Sequence, residues 1–350
     1  MPSWWSRLTP VAVALVLSVT AGCAGTSAHS ASGSPSASSP SASPASSTAA
    51  SSPLPGSSPG VSSPPSPAAT PSGSRSGPPP AAAGRSQLPR GGREVFPRYR
   101  LVGFSGAPGS KAFGRLGVGR LDDRVAEIER LARSYRAGRE PLPVLELIAV
   151  VVQGSSGRDG RYRAFIGDDV VRRYLAAARR HRALLLLNVQ PGRARFADEV
   201  RALERWLREP DVGVALDPEW AVGRGQVPGR VFGSTTGAVV DGVSAYLDGL
   251  VRAHALPQKV LVVHQLNPRI VSGWDALKRR RGVAVVKSVD GIGSPGAKVS
   301  TWKRLVRDLP PTLHPGFKLF FDEDTEGGRR LMTPREVLAL RPQPEYVLYE

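Results

Sequence analysis

The sequence lacks most of the features that would identify a function directly. Its 350 residues include one cysteine, Cys23, so no intrachain disulfide can hold the fold together. Its five histidines form no H-x-H or H-E-x-x-H spacing, and residues 95–350 contain no G-x-S-x-G motif. Acidic residues are relatively few: the chain has 29 Asp and Glu and 47 Lys and Arg, which gives a formal net charge of +18. The common zinc-hydrolase and serine-hydrolase patterns are therefore absent.

The N-terminus has the pattern of an exported protein. The apolar run at 11–19 follows Arg7 and is too short to span a bilayer, which is typical of a secretory signal peptide over residues 1–22. The following letters, TAGC, resemble a lipobox. That resemblance implies cleavage before Cys23, lipid attachment to its thiol and an extracytoplasmic location on the outer face of the cell membrane. The alternative is a plain signal peptide with an incidental cysteine.

Composition divides the rest of the chain into a tether and a folded domain. Residues 23–94 are mostly Ser, Pro, Ala and Gly, which cannot bury enough apolar surface to fold, so we expect a disordered tether. Residues 95–350 form the folded part and carry most of the positive charge. This charge favours association with anionic envelope polymers, unless it only reflects a bias toward arginine. No basic reading helix or aromatic RNA-binding signature points to nucleic acid.

Eight apolar runs of strand length recur in the folded part, and seven segments with helical spacing separate them, among them SGWDALKRR at 272–280. This alternation predicts a parallel sheet, and the number and total length favour a (β/α)8 barrel over an open doubly wound sheet. No helical segment follows the last run, so we expect the eighth helix to be missing. The predicted strands are 99–104, 144–152, 183–189, 212–217, 259–265, 283–289, 317–322 and 346–350.

Polar residues collect where the predicted strands end, which is where barrels of this kind build their active sites. The candidate catalytic residues follow the fourth and seventh strands and are Asp217, Glu219, Asp322, Glu323 and Asp324. The candidate substrate-binding residues lie at the ends of the second to sixth strands and are Gln153, Asn188, Gln190, Trp220, His264, Gln265 and Asp290. Glu146 interrupts an apolar strand and receives no chemical role.

The paired acids after the fourth strand indicate acid catalysis. Asp217 and Glu219 are two residues apart, so strand alternation would point both the same way. Two neighbouring carboxyls raise the pKa of one of them, which makes it a proton donor near neutral pH. A carboxylate from the seventh strand would then act as nucleophile or base, which is the arrangement that glycoside hydrolysis requires.

These acids resemble those of the clan of retaining glycoside hydrolases that share the (β/α)8 barrel. The resemblance implies that Glu219 is the acid/base and that Glu323, or Asp322 or Asp324, is the nucleophile. LDPEW, residues 216–220, also resembles the DxE end of the chitinase-type motif, which implies that Asp217 orients a substrate acetamido group. As a whole the chain resembles exported lipoproteins of high-GC Gram-positive bacteria with a hydrolase-like barrel.

The leading interpretation is therefore a lipid-anchored barrel that hydrolyses a glycan or polysaccharide without a cofactor. The first alternative is a cell-envelope protein that binds glycan without cleaving it. The second is a metal-dependent hydrolase built from Asp217, Glu219, His264 and Asp290, although no metal is expected. The sequence GIGSPG, residues 291–296, matches G-x-G-x-x-G but follows the sixth strand, so a turn that contacts a polar ligand is the plainer interpretation.

Overall fold

The computed structural model describes residues 86–350, which contain a closed barrel of eight parallel strands with helices between them. The predicted fold class is confirmed. The signal peptide, Cys23 and residues 24–85 of the predicted tether lie outside the described residues. No helix within 86–350 is both long enough and apolar enough to cross a bilayer.

Eight strands follow one another around the barrel, and the last pairs with the first. In order they are β1 (Tyr99–Gly106), β2 (Glu140–Val152), β4 (Leu184–Val189), β5 (Val212–Leu216), β7 (Lys259–Gln265), β9 (Val283–Val289), β10 (Leu313–Leu319) and β11 (Tyr346–Tyr349). A short strand, β3 (Arg163–Phe165), pairs antiparallel with the end of β2. Two further short strands, β6 (Thr235–Thr236) and β8 (Val271–Ser272), form a separate parallel ribbon.

Six of the seven predicted helical segments contain α-helix. They are α1 (Leu121–Arg133), α2 (Asp168–Arg180), the pair α3 (Phe196–Ala202) and α4 (Glu204–Leu207), α5 (Gly237–Ala253), α6 (Pro295–Val306) and α7 (Pro334–Leu338). The helix predicted over 272–280 is wrong, because only a 3-10 turn forms there, at Trp274–Ala276. Ser272 belongs to β8, and Gly273 adopts a left-handed conformation with φ of 63°, so the chain turns instead of entering an α-helix.

Both faces of the barrel strands are buried, which explains why their sequences are apolar almost throughout. Outward-facing side chains such as Leu185, Leu187 and Val263 pack against the helices. Inward-facing side chains fill the end of the barrel where the strands begin, and we call this cluster the apolar half. It consists of Tyr99, Leu101, Leu142, Val144, Leu184, Leu186, Ala215, Val260, Val262, Ala284, Val286, Tyr346 and Leu348, with Leu88, Val95 and Phe96 beneath them.

Residues 86–98 close the barrel below the apolar half. Leu88, Val95 and Phe96 are buried there, and Val95 N donates to Gln258 Oε1 at 2.9 Å. Arg93 donates to the carbonyl oxygen of Leu256 at 2.6 Å. Residues 86–94, which composition assigns to the tether, therefore pack against the barrel. Leu88 is the only large apolar residue in that stretch, which is why composition gives no sign of this packing.

Candidate active site

The other half of the barrel interior, toward the strand ends, is polar, and we call it the polar half. Every barrel strand, or the residue directly after it, contributes at least one side chain to a single hydrogen-bonded network. Most of these groups are almost fully buried. The members are Ser105, Glu146, Asn188, Gln190, Asp217, His264, Ser288, Asp290, Lys318 and Glu350, with the hydroxyl of Tyr346, whose ring belongs to the apolar half.

His264 lies at the centre of the polar half, between two carboxylates. Its Nδ1 is 2.6 Å from Asp290 Oδ2 and its Nε2 is 3.0 Å from Glu146 Oε1. Burial lowers the pKa of His264, but the charges of Asp290 and Glu146 outweigh burial and raise it well above its usual range. The same imidazolium lowers the pKa of both carboxyls against the opposing effect of their burial. The three groups therefore form a buried charged triad.

Lys318 extends the network from Asp290 to the last strand. Its Nζ lies 3.5 Å from Asp290 Oδ2 and 2.7 Å from Glu350 Oε2. Ser105 donates to the same oxygen of Glu350 at 2.6 Å. Burial lowers the pKa of Lys318, but the surrounding carboxylates, Glu350 first, raise it well above its usual range. A fixed positive charge thus stands where β10 ends.

Asp217 and Glu219 lie just beyond the carboxyl end of β5. Their positions are set by a turn and not by the alternation of side chains along a strand. The strand ends at Leu216, and Pro218–Trp220 form a 3-10 turn that contains Glu219. Strand alternation therefore does not set the directions of the two side chains, since Pro218 starts the turn before Glu219. Asp217 accepts hydrogen bonds from Asn188 Nδ2 at 2.9 Å and Gln190 Nε2 at 3.1 Å, which hold the carboxylate in place.

The carboxyl of Glu219 is the most perturbed acid of the site. Its Oε2 is buried, and no residue within 86–350 offers it a hydrogen bond. Burial, together with the neighbouring charges of Asp217 and Asp290, raises the pKa of Glu219 well above its usual range despite His264. Burial also raises the pKa of Asp217, although less strongly. Glu219 is therefore held as a neutral acid at a pH where free glutamate is ionised.

The three acids after β10 have three different environments. The strand ends at Leu319, not at residue 322 as predicted, so all three lie in the following loop. Asp324 is fully buried and bound by Lys298 at 2.8 Å, by Gly293 N and by Phe320 N, so its role is structural. Asp322 is exposed and pairs with Lys111 at 3.1 Å. Glu323 is only partly exposed, and burial together with the charge of Glu350 raises its pKa.

A cavity of about 830 Å³ opens beside the polar half, and its walls come from the loops after β7, β9 and β10. Asp290, Asp322 and Glu323 line it, so two of the three acids predicted after β10 share this space with Asp290, whereas the side chains of Asp217, Glu219 and His264 are not part of its lining. Its other walls are Phe232, Leu266, Asn267, Gly291, Ile292, Gly293, Thr301, Arg304, Glu326 and Arg329. This volume is within the range of about 300–1,000 Å³ that is typical of small-molecule sites.

The predicted binding residues divide into two groups. Asn188, Gln190, His264 and Asp290 belong to the network described above. Gln265 does not, because its amide binds Asn267 O, Val271 O and Trp274 Nε1 on the outer side of the strand. Gln153 follows β2 and donates to Val151 O, and Trp220 is half-buried in the turn that holds Glu219. Neither belongs to the network.

Sequence reasoning missed six members of the polar half: Ser105, Glu146, Ser288, Lys318, Tyr346 and Glu350. Glu146 accepts from Tyr346 Oη at 2.5 Å and from Asn188 Nδ2 at 3.0 Å. A usable signal was present, because Glu146 lies two residues beyond the inward-facing Val144 and therefore faces the interior too. A polar side chain at an inward position of an otherwise apolar barrel strand should have received a role.

The metal-site interpretation depends on side chains that already bind other side chains of the protein. Both ring nitrogens of His264 are bound to carboxylates. Within residues 86–350, no group of three or more His, Cys, Asp or Glu side chains has the arrangement of a metal site.

The motif GIGSPG, residues 291–296, forms the turn into α6. Ser294 Oγ accepts a hydrogen bond from Ala297 N there, and the first three residues of the motif line the cavity.

Comparisons with known proteins identify no family. No family model matches the chain, and no curated protein is significantly similar to it. Among solved structures, the chain is similar to one described as the crystal structure of the Clostridial cellulose synthase subunit Z (CcsZ) from Clostridioides difficile. The identity is 10%, the match covers 72% of this chain and 91% of that chain, and the TM-score is 0.37. We take no residue role from this distant likeness.

Proposed function

We propose that the barrel domain is a glycoside hydrolase in which Glu219 protonates the departing sugar oxygen. One observation carries the proposal: Oε2 of Glu219 is buried without a hydrogen-bond partner among the described residues, and the charges of Asp217 and Asp290 act on the same carboxyl. These surroundings keep it neutral and ready to donate a proton, which is the condition that a general acid must meet near neutral pH. An unsatisfied buried oxygen is costly in a fold unless function requires it.

Glu323 is the second carboxyl of the proposed reaction. Asp290 is bound by His264, Ser288 and Lys318, so its lone pairs are already occupied. Asp324 is held by structural partners, and Asp322 is exposed beside Lys111. Glu323 lines the cavity and its carboxyl forms no salt bridge within the described residues, so it is the acid best placed to act as nucleophile or base.

Asp217 supports Glu219 in this proposal. Its two amide partners fix the carboxylate, and its charge helps to keep Glu219 protonated. Asn188 Oδ1 is a second buried oxygen without a partner among the described residues. Sugar hydroxyls would supply hydrogen-bond donors to such an atom, and this agrees with a carbohydrate rather than an apolar substrate.

The test compares the wild type with Glu219→Gln on chitin, cellulose, starch and peptidoglycan. We expect hydrolysis of one of them and a loss of about 10²–10⁴-fold in Glu219→Gln, because general acid catalysis is worth that much. Glu323→Gln should lose activity to a similar extent, whereas Asp308→Asn, at an exposed position outside the cavity, should retain it. A wild type that is inactive on all four polymers, or a fully active Glu219→Gln, would contradict the proposal.

The second candidate is a domain that binds glycan without cleaving it. The charge balance of the site favours it in one respect, because Lys318 and His264 neutralise carboxylates that a hydrolase could have used. This candidate predicts an inactive wild type that still retains a polysaccharide, with retention weakened by Trp220→Ala. Hydrolysis that depends on Glu219 would exclude it.

We also propose that the domain is held at the outer face of the cell membrane through a lipid on Cys23. The support is the sequence alone: an apolar run of signal-peptide length followed by TAGC, and a tether-like segment before the barrel. The test is membrane fractionation of Cys23→Ser, which should release the protein into the soluble fraction. The same fractionation of Ser155→Cys, at an exposed position that leaves Cys23 intact, should show a membrane-bound protein.

A further inference from the structure

A second cavity lies directly beside the first at the mouth of the barrel. It has a volume of about 720 Å³ and is lined by Phe232, Gly233, Ser234, Asn267, Pro268, Arg269 and Ile270. Phe232 and Asn267 also line the cavity that holds Asp290 and Glu323. The two cavities are therefore adjacent spaces with a common wall.

The common wall is fixed to the segment that carries Glu219. Gly233 N donates to Glu219 O at 2.6 Å, and Ser234 N donates to Ala221 O at 3.1 Å. A Cβ on Gly233 would lie 2.2 Å from Ala221 O, so the two segments touch as closely as glycine permits. On the other side, Thr235 N donates to Ile270 O at 2.9 Å, within the ribbon of β6 and β8. These contacts fix the backbone next to Phe232 to the turn that contains Glu219, although the Glu219 side chain is not part of the lining of either cavity.

The lining of the second cavity suits a sugar. Phe232, Pro268 and Ile270 offer apolar surface, while Ser234, Asn267 and Arg269 offer hydrogen-bonding groups at its edge. Sugars combine an apolar ring face with polar edges, and this is the mixture that such a wall can bind. Each cavity alone reaches the size of a small-molecule site, so the pair exceeds what a single sugar ring needs.

We infer that a glycan chain lies across Phe232 with sugar units in both cavities, so that cleavage at Glu219 occurs within the chain rather than at its end. This inference rests on the proposed hydrolase function for the position of cleavage, but the two-cavity binding surface stands independently of cleavage. Phe232 is then a specificity residue, because its ring supports the sugar at the boundary between the cavities.

The experiment measures binding in Glu219→Gln, so that the ligand stays intact. Chito-oligosaccharides and cello-oligosaccharides from the disaccharide to the hexasaccharide are titrated by calorimetry. We expect one series to bind more tightly with each added sugar beyond the disaccharide. Adding Phe232→Ala should weaken hexasaccharide binding by about tenfold or more, because burial of an aromatic ring contributes at least that much.

Val231→Ala is the matched control. Val231 is the exposed neighbour of Phe232 and lines neither cavity, so its truncation should leave the affinity for the hexasaccharide unchanged. Equal affinity for disaccharide and hexasaccharide, an equal effect of both truncations, or no binding of either series would overturn the inference. Length-dependent binding without hydrolysis by the wild type would overturn the hydrolase proposal while leaving the binding surface intact.

Discussion

The two halves of the barrel interior are built by the same eight strands but do different work. In the apolar half, inward positions carry residues such as Leu184, Leu186 and Val262, which are buried without polar atoms in their side chains. Two residues further along the same strands, inward positions carry Asn188 and His264, and the interior becomes a network of charges. The apolar half accounts for folding, and the polar half is a concentration of buried charge that folding does not require.

This difference identifies the part of the barrel interior whose burial is unfavourable for the free energy of folding. Burial of apolar side chains stabilises a fold by about 25 cal/mol per Å² of surface removed from water. Burial of ionised groups stabilises it only when every charge has a well-placed partner. His264, Glu146 and Asp290 satisfy one another, whereas Glu219 has a buried oxygen without a partner in the described residues. Among the described residues, the two buried oxygens of this region without a partner are therefore Asn188 Oδ1 and Glu219 Oε2, and the second belongs to the carboxyl that we propose transfers the proton.

The largest stability effect should come from breaking the triad. His264→Leu leaves Glu146 and Asp290 buried without their shared cation, and we expect the free energy of unfolding to fall by about 3–5 kcal/mol. Denaturant unfolding monitored by circular dichroism measures this change. Combining His264→Leu with Glu146→Gln should recover part of the loss, because one uncompensated charge is removed. A loss no larger than that of an exposed substitution would show that the triad is not a balanced charge system.

Truncation in the apolar half should affect stability without affecting chemistry. Leu186→Ala removes a fully buried side chain from the interior, and we expect a loss of about 2–5 kcal/mol in unfolding free energy. Below the unfolding transition, kcat per folded molecule should remain close to that of the wild type. An equal fall in kcat would show that the two halves are not separable. Leu187→Ala, on the outer side of the same strand, is the matched control for cavity formation.

A smaller effect should appear in the pH dependence of stability, at the end of the barrel where the strands begin. Burial lowers the pKa of Lys259 to about 7, and its Nζ donates to the carbonyl oxygen of Val212 at 2.8 Å. The unfolded chain binds this proton more strongly, since a free lysine has a pKa of about 10.4. Stability should therefore rise as pH increases through roughly 7 to 9.

Lys259→Met should flatten this rise when unfolding is followed across the same pH window. Lys278→Met, at an exposed position, should leave the slope as it is in the wild type. Burial also lowers the pKa of Lys287 to about 8, so part of the slope should persist in Lys259→Met and disappear when both lysines are replaced. Stability that falls with pH in the wild type over this window would contradict the assignment.

Most of the fold was predictable because a parallel barrel leaves a strong pattern. Strands buried on both faces read as unbroken apolar runs, and the amphipathic helices between them have a different period. The errors came where local chemistry overrides the pattern. Pro218 turns the chain before Glu219, and Gly273 interrupts a segment with helical spacing. The seventh strand begins at Leu313, although Pro315 within it is unfavourable for a strand.

The site was predictable only where its residues follow the strands. Asp217, Glu219 and Asp290 could be found from their position after apolar runs. Glu146 and Lys318 lie inside apolar runs; the position of Glu146 in its strand indicated an inward direction, but only the three-dimensional structure shows that both residues contact His264 or Asp290. The local sequence could not show that Glu323 and Asp324 have different roles. Asp324 is bound by Lys298, a residue 26 positions earlier on α6, and only the structure shows this contact.

The central claim is that the polar half keeps Glu219 protonated, and infrared difference spectroscopy tests it without requiring a substrate. The spectrum of wild type minus Glu219→Gln should contain a protonated carboxyl band at neutral pH. In the background of Asp217→Asn, the same difference band should disappear at a lower pH, because a neighbouring negative charge that raises the pKa of Glu219 is gone. Asp322→Asn, at the exposed rim, should leave it unchanged. Loss of the band near pH ~4.3, which is about the pKa of an ordinary glutamate, would contradict the account.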